Sequence, residues 1–128
     1  MNKLNNKGQS LVMFVVILPV IIMILMMVVD IGKMVNLKSE LDNINYIAIS
    51  YGLDNISDDD IQDKIRKLIY KNKLGIDEVK IEIDDGEVDI TLVDGIDLIL
   101  FKESNILRVR SSYRGIISDE KKIIERNR

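Results

Sequence analysis

The side chains that most often do chemistry are missing from this chain. Its 128 residues contain no histidine, no cysteine and no tryptophan. Without histidine it lacks the commonest metal ligand and the commonest general acid–base group. Without cysteine it can form neither a disulfide nor a thiolate site. Carboxylates, hydroxyls and arginines remain. Asp58-Asp59-Asp60 lacks the alternating ligand spacing and the later bidentate glutamate of a calcium loop. Asp84, Asp85 and Glu87 sit at a turn, where carboxylates are ordinarily solvated surface. The serines have no motif around them, and there is no phosphate-binding loop or dinucleotide fingerprint. The sequence therefore nominates no catalytic residue, no metal ligand and no cofactor, and the expectation is a protein that is not an enzyme. Arg108, Arg110 and Arg114 form a basic stripe with Tyr113 nearby. It lacks the aromatic interleaving of a nucleic-acid site, so no nucleic acid is expected. It is instead a candidate contact face for a partner protein or an acidic envelope polymer, or an ordinary exposed strand face.

The elements that would carry such a face begin with an anchor. After Lys7-Gly8-Gln9-Ser10 come nineteen uncharged residues, Leu11 to Val29, ended by Asp30. A run of roughly 20 apolar residues crosses the hydrocarbon core of a bilayer as a helix. A cleaved secretory signal would have a shorter apolar region, of roughly 7–15 residues, ending in small residues; this run ends in Met-Met-Val-Val. Pro19 lies inside it, which membrane helices tolerate better than soluble ones. Lys3 and Lys7 precede the run, whereas Asp30 and Lys33 nearly cancel after it. Positive charge tends to stay in the cytoplasm, so a single pass with the N-terminus inside and residues 30–128 outside is expected.

The spacing predicts that the helix continues beyond the membrane. Met34, Leu37, Leu41, Ile44, Ala48 and Tyr51 recur at intervals of three and four with no proline or glycine between them. Gly52 is the expected stop. This stripe is expected to pack on the chain's own domain rather than on a neighbouring copy. Ser57 reads as an N-cap with three aspartates following, and Ile61, Ile65, Leu68 and Ile69 share a face, predicting a helix over about 58–73 with Gly75 as its C-cap. Val79–Ile83 and Val88–Leu92 alternate as half-buried strands around an Asp85-Gly86 hairpin turn. Asp94-Gly95 marks another turn, Ile96–Phe101 reads as a central strand in preference to a helical turn, and Leu107–Arg114 as a strand with a basic face. Residues 118–128 read as a frayed, mobile helix.

The expected fold class is α+β: a long N-terminal transmembrane helix continuing into an amphipathic stem, with a small antiparallel sheet of three or four strands and one additional helix. Its divisions are a leader (1–8), the membrane helix (9–29), a helical stem (30–52) and a small extracytoplasmic domain (53–128). Charge divides along the chain as well. Segment 54–97 has 14 acidic and 6 basic residues, whereas 102–128 has 8 basic and 4 acidic. Such patterning reads as a solvated surface or as attraction between copies or towards a partner.

The N-terminal block resembles the TadE-like family, minor pilins or pseudopilins of the tight-adherence (Flp, type IVb) pilus machinery. The residues that carry the resemblance are Gly8, Gln9, Ser10, Leu11, Val12, Phe14, Leu18, Pro19 and Asp30-Ile31-Gly32-Lys33. They reproduce a basic leader, a glycine, a small or polar residue, an apolar run holding Leu-Pro, and an acid-x-Gly-basic exit. The resemblance implies a pilin-like fold and cleavage by a prepilin peptidase at the Gly8–Gln9 bond. It also implies partnership with other pilin or pseudopilin subunits and with the inner-membrane assembly platform. Members commonly carry a glutamate before the phenylalanine, and this chain has Met13. By resemblance that glutamate would pair with a neighbour's new α-amine during assembly, so its absence points to a tip, initiating or accessory role rather than a repeating shaft subunit. The alternative function is a single-pass anchored binding or scaffold domain unrelated to pili; an anchored hydrolase is disfavoured by the missing side chains.

Overall fold

A single helix, α1 (Asn2–Asp54), runs from the leader through the apolar run and into the folded domain without a break. At 1.5 Å per residue it is about 80 Å long. The computed structural model describes residues 2–100 and 107–127, with side chains described from Asn6 onward. A second helix, α2 (Ile61–Asn72), is followed by four strands: β1 (Glu78–Asp84), β2 (Glu87–Gly95), β3 (Arg108–Ser118) and β4 (Lys121–Arg126). The strands form one antiparallel sheet in the order β1-β2-β3-β4, each paired with its neighbour in sequence. The fold is α+β with a candidate membrane-spanning helix, as the pattern of elements predicts.

The core lies between one face of this sheet and the two helices. Directly opposed residues of an antiparallel pair point to the same side. The register therefore aligns Ile81, Ile90 and Tyr113 in one row and Val88, Gly115 and Ile124 in another. Val88, Ile90 and Leu92 are fully buried, as are Leu41, Ala48 and Ile49 of α1 and Ile65 and Ile69 of α2. Each such aliphatic side chain taken out of water contributes about 1.5–3 kcal/mol. The predicted stem stripe is thus covered by the chain's own domain. Leu37, Leu41, Ile44 and Ala48 are buried, and Met34 and Tyr51 are half-buried. The opposite sheet face carries Glu78, Lys80, Glu82, Arg108 and Arg110, all exposed.

Several expectations are corrected. Gly52 does not stop the helix, which reaches Asp54. It marks a close approach instead: a Cβ there would lie 2.9 Å from Ile65 Cδ1 and 3.3 Å from Val88 Cγ1. Ser57 does not cap α2. The chain first turns, with the Asp58 amide donating to Asn55 O, and the helix starts at Ile61 with Asp60 at the cap position. Lys64 draws the aspartates ahead of that first turn, pairing with Asp58 at 3.1 Å and Asp60 at 3.5 Å. The Asp58 hydrogen bond, then the charges of Asp58 and Asp60, hold the Lys64 ammonium above its ordinary pKa. The helix ends at Asn72, before Gly75, which takes a left-handed φ of +80° in the following turn.

Asp94-Gly95 is not a turn either: β2 runs through it, pairing Gly95 with Arg108. Residues 96–100, the described part of the predicted central strand, form no strand; Phe101 lies outside the described residues. The fourth strand is the predicted terminal helix. Asp119 and Glu120 both take positive φ, 50° and 64°, the backbone of a type I′ hairpin turn, which folds β4 back so that Ile124 opposes Gly115. The Asn127 amide then donates to Ser112 O at 2.9 Å. By contrast, Asp85-Gly86 forms the predicted hairpin turn, with φ of 44° and 81°.

Candidate functional site: an exposed span and its exit

The apolar run is bare. From Leu11 (65% exposed) to Val29 (46%), the large hydrophobic residues all project outward, and the most apolar window has a mean hydropathy of 3.3 with none of it buried. A helix that is apolar all round and covered by no other element belongs in a core or a membrane, and this length spans one. Met13, Phe14, Leu18 and Pro19 all lie on this exposed rod, with Ser10, Leu11 and Val12 at its start. Pro19 leaves the helix continuous. Gly8 and Gln9 lie one turn ahead of the rod, inside α1 and exposed, with nothing near Gly8. Span and stem are one helix, so the rod's base is rigidly joined to the folded domain.

At the exit of the span a single residue turns inward. Asp30 is 1% exposed. Its Oδ1 accepts the Ile99 amide at 2.7 Å and its Oδ2 accepts the Leu100 amide at 2.8 Å. Three residues on, one turn up the helix, Lys33 Nζ donates to Asp97 O at 3.4 Å. The acid and base of the exit motif thus hold one irregular segment, 97–100, against the helix. Charge-assisted bonds of this kind are about twice as strong as neutral ones. Gly32, between them, has open space around it.

Higher on the stem, Asn45 is fully buried. Its Nδ2 reaches Ile90 O at 3.0 Å, Ser111 O at 3.1 Å and Ser111 Oγ at 3.2 Å, which ties α1 to both central strands. Its Oδ1 has no hydrogen-bond partner among the described residues. At the far end Gly115 lets the helix touch the sheet: a Cβ there would collide with Ile49 Cγ2.

The basic stripe is divided by its partners. Arg114 Nε donates to Asp89 Oδ1 at 3.0 Å and lies 3.8 Å from Glu87 Oε2. The Asp89 hydrogen bond, then the charges of Asp89 and Glu87, raise Arg114 further above its already high pKa. Arg108 and Arg110 are exposed, and neither side chain pairs with a carboxylate among the described residues. The Arg110 carbonyl accepts from Lys38 Nζ at 2.5 Å. Beyond the stripe, Lys122 pairs with Asp54 at 2.6 Å, and Arg126 pairs with Asp42 at 3.4 Å. Arg114 and Lys122 thus join the two segments of opposite charge, whereas Arg126 reaches the stem. No group of three carboxylates able to hold a metal ion occurs among the described residues.

Sequence reasoning missed Asn45 and the partners of Asp30. Asn45 had a signal: it lies four residues after Leu41 and four before Ile49, so a polar side chain falls inside the apolar stripe. Asp30 had none, because its acceptor role depends on a segment about seventy residues later.

An anchored α+β domain on a continuous helical rod is what the fold and exit define. Residues 8–44 match the family of TadE-like proteins, from the glycine of the leader to the middle of the stem. The N-terminal segment is therefore similar to TadE-like proteins, and the resemblance read from Gly8 to Lys33 holds over the region that carried it. No curated protein and no solved structure matches the chain.

Proposed function

We propose that this protein is a pilin-type subunit of a tight-adherence (type IVb) pilus or related secretion apparatus, held in the bacterial cytoplasmic membrane by Leu11–Val29. Its work is assembly rather than catalysis. The rod packs with other pilin helices, and the domain lies outside, with Lys3 and Lys7 retained in the cytoplasm. The observation that carries this reading is that the TadE-like match falls on an uncovered apolar helix that continues directly into a folded domain. Its partners are other pilin or pseudopilin subunits, the assembly platform and a prepilin peptidase.

Maturation is the direct test. The Gly8–Gln9 bond lies in helical backbone, which a peptidase must open locally. A glycine in a helix interior weakens it by about 0.5–1 kcal/mol relative to alanine, which eases opening at this point. Intact-mass measurement of the protein from cells with and without prepilin peptidase should show residues 1–8 removed only when the enzyme is present. An unchanged mass rejects pilin-type processing and leaves the anchored scaffold reading.

The tip or accessory role rests on Met13. A carboxylate in the apolar span is costly unless paired, and this chain carries none between Leu11 and Val29. It therefore offers no acidic partner to a neighbour's α-amine. In a pilus reconstitution, Met13→Glu should raise incorporation along the shaft above that of the natural chain. Equal incorporation of the two would remove Met13 as the reason for a minor role.

A further inference from the structure

The exit clamp places a second part of the domain at the bilayer. Side chains of a helix tilt towards its N-terminus, and for Asp30 that direction is the membrane. The nineteen residues Leu11–Val29 rise about 28 Å at 1.5 Å each, close to the hydrocarbon thickness of about 30 Å. The Asp30 carboxylate therefore sits at the edge of the hydrocarbon. Its two oxygens hold the amides of Ile99 and Leu100 within 2.8 Å, so the backbone of those residues lies at the same level. Lys33, bonded to Asp97 O, ties the segment at the next turn up.

The side chains sort accordingly. Leu98 is 3% exposed and turned into the protein, whereas Ile99 is 48% exposed. Ile31 and Val28 on the neighbouring helix turns are exposed as well. Ile99 thus extends the bare apolar surface of the span sideways, off the helix axis. We propose that segment 97–100 is a second membrane contact, with Ile99 inserted into the phospholipid interface of the leaflet on the domain's side. The inference rests on the membrane-anchored reading given above. Lipid is the occupant because the Ile99 backbone is bonded to Asp30, the residue that ends the span lipid must already cover. The consequence is a two-point seat: the span alone leaves the domain free to swivel about one rod, whereas an off-axis contact fixes which faces of the stem and sheet look sideways towards neighbouring subunits.

The chain has no cysteine, so single thiols can be introduced without background. The full chain would carry an environment-sensitive fluorophore at I99C, at V20C in mid-span, or at D84C. Asp84 lies at the β1–β2 hairpin, at the opposite end of β2 from the clamp. Each is reconstituted at low density in phosphatidylcholine–phosphatidylglycerol vesicles containing nitroxide lipids labelled at shallow or deep acyl positions. The I99C label should be quenched several-fold more than the D84C label, and more by shallow than by deep nitroxides; the V20C label should favour deep ones. Asp30→Asn, which gives up one acceptor and the charge, should lower quenching at I99C and leave V20C unchanged. An unquenched I99C beside a quenched V20C overturns the second contact and leaves the anchor standing. If neither is quenched, the membrane reading itself fails. Shielding of I99C that arises only at high protein density overturns lipid as occupant in favour of a second copy of the chain. Quenching at I99C indifferent to Asp30→Asn overturns the clamp.

Discussion

Asn45→Asp is expected to destabilise the folded domain severely while leaving the rod inserted. The Asn45 amide nitrogen faces two backbone carbonyls and the Ser111 hydroxyl in a fully buried position. Aspartate replaces that donor with an acceptor, setting oxygen against oxygen, and places a charge in a fully buried position. Breaking a buried polar arrangement so that a charge is left uncompensated costs about 3–5 kcal/mol, a large part of the 5–15 kcal/mol that holds a typical domain folded. Thermal unfolding of the full chain in detergent should fall by about 15 °C or more, at the roughly 4–8 °C per kcal/mol of a domain this size. Amide exchange in β2 and β3 should lose its protection. Asn45→Leu should cost less, because it buries no charge and removes the unpartnered Oδ1, so that what remains is the loss of one donor to the Ile90 and Ser111 carbonyls, about 1–3 kcal/mol. If aspartate were tolerated as well as leucine, the amide would not be the peg that joins helix to sheet.

Gly115→Ala should be the next most damaging small change. A Cβ there collides with Ile49 Cγ2 and meets Leu53 Cδ1 at 3.0 Å. Ile49 is β-branched and stiff about χ1, and it is fully buried, so it has no free rotamer to take up. Either the helix lifts off β3 or the core strains, at about 1–3 kcal/mol for an overpacked site. Gly52→Ala is the internal comparison. Its nearest contact, 2.9 Å, is the terminal methyl of Ile65, which can rotate, and alanine regains about 0.5–1 kcal/mol of helix preference. The melting point should therefore fall clearly for Gly115→Ala and stay within a few degrees of the natural chain for Gly52→Ala. Equal losses would mean that the two close approaches are equally yielding, against the geometry.

Much of this architecture was legible in local pattern. The apolar run, the stripe from Leu37 to Ala48, the helical face of Ile61, Ile65 and Ile69, and the alternation of β1, β2 and β3 each state a periodicity that few other structures satisfy. The Asp85-Gly86 turn was legible because glycine at positive φ is inexpensive. The errors fall where the local signal was weak or had two meanings. Gly52 and Gly95 were read as punctuation, yet Gly52 marks close packing, and Gly95 lies in a strand with Asp77 Oδ2 3.1 Å from where its Cβ would be. The β3–β4 hairpin turns on Asp119 and Glu120, neither of them glycine, so its positive φ values had no residue to announce them. Lys121–Arg126 carries only two apolar residues, Ile123 and Ile124, adjacent rather than alternating. It becomes a strand because the edge of β3 offers it hydrogen bonds.

The candidate site divides in the same way. The TadE-like block from Gly8 to Lys33 is contiguous, so its glycine, apolar run and charged exit could be read as one unit. What Asp30 and Lys33 do could not be read, because their partners are backbone atoms of residues 97, 99 and 100, in a segment whose apolar composition suggested a strand. The arginine stripe was visible as alternation, but only the register of β2 against β3 shows that Arg114 is neutralised by Asp89 while Arg108 and Arg110 stay open to solvent.

By itself the amino-acid sequence determined the anchor, the stem's buried stripe and the chemistry the protein lacks, because solvent preference and side-chain inventory are properties of short stretches. Only the tertiary structure decided that Asn45 is a peg, that Gly115 must be bare and that Asp30 holds segment 97–100 at the foot of the domain. Each of those depends on which distant backbone atoms arrive within about 3 Å, the reach of a hydrogen bond or of a van der Waals contact, and no local pattern encodes that meeting.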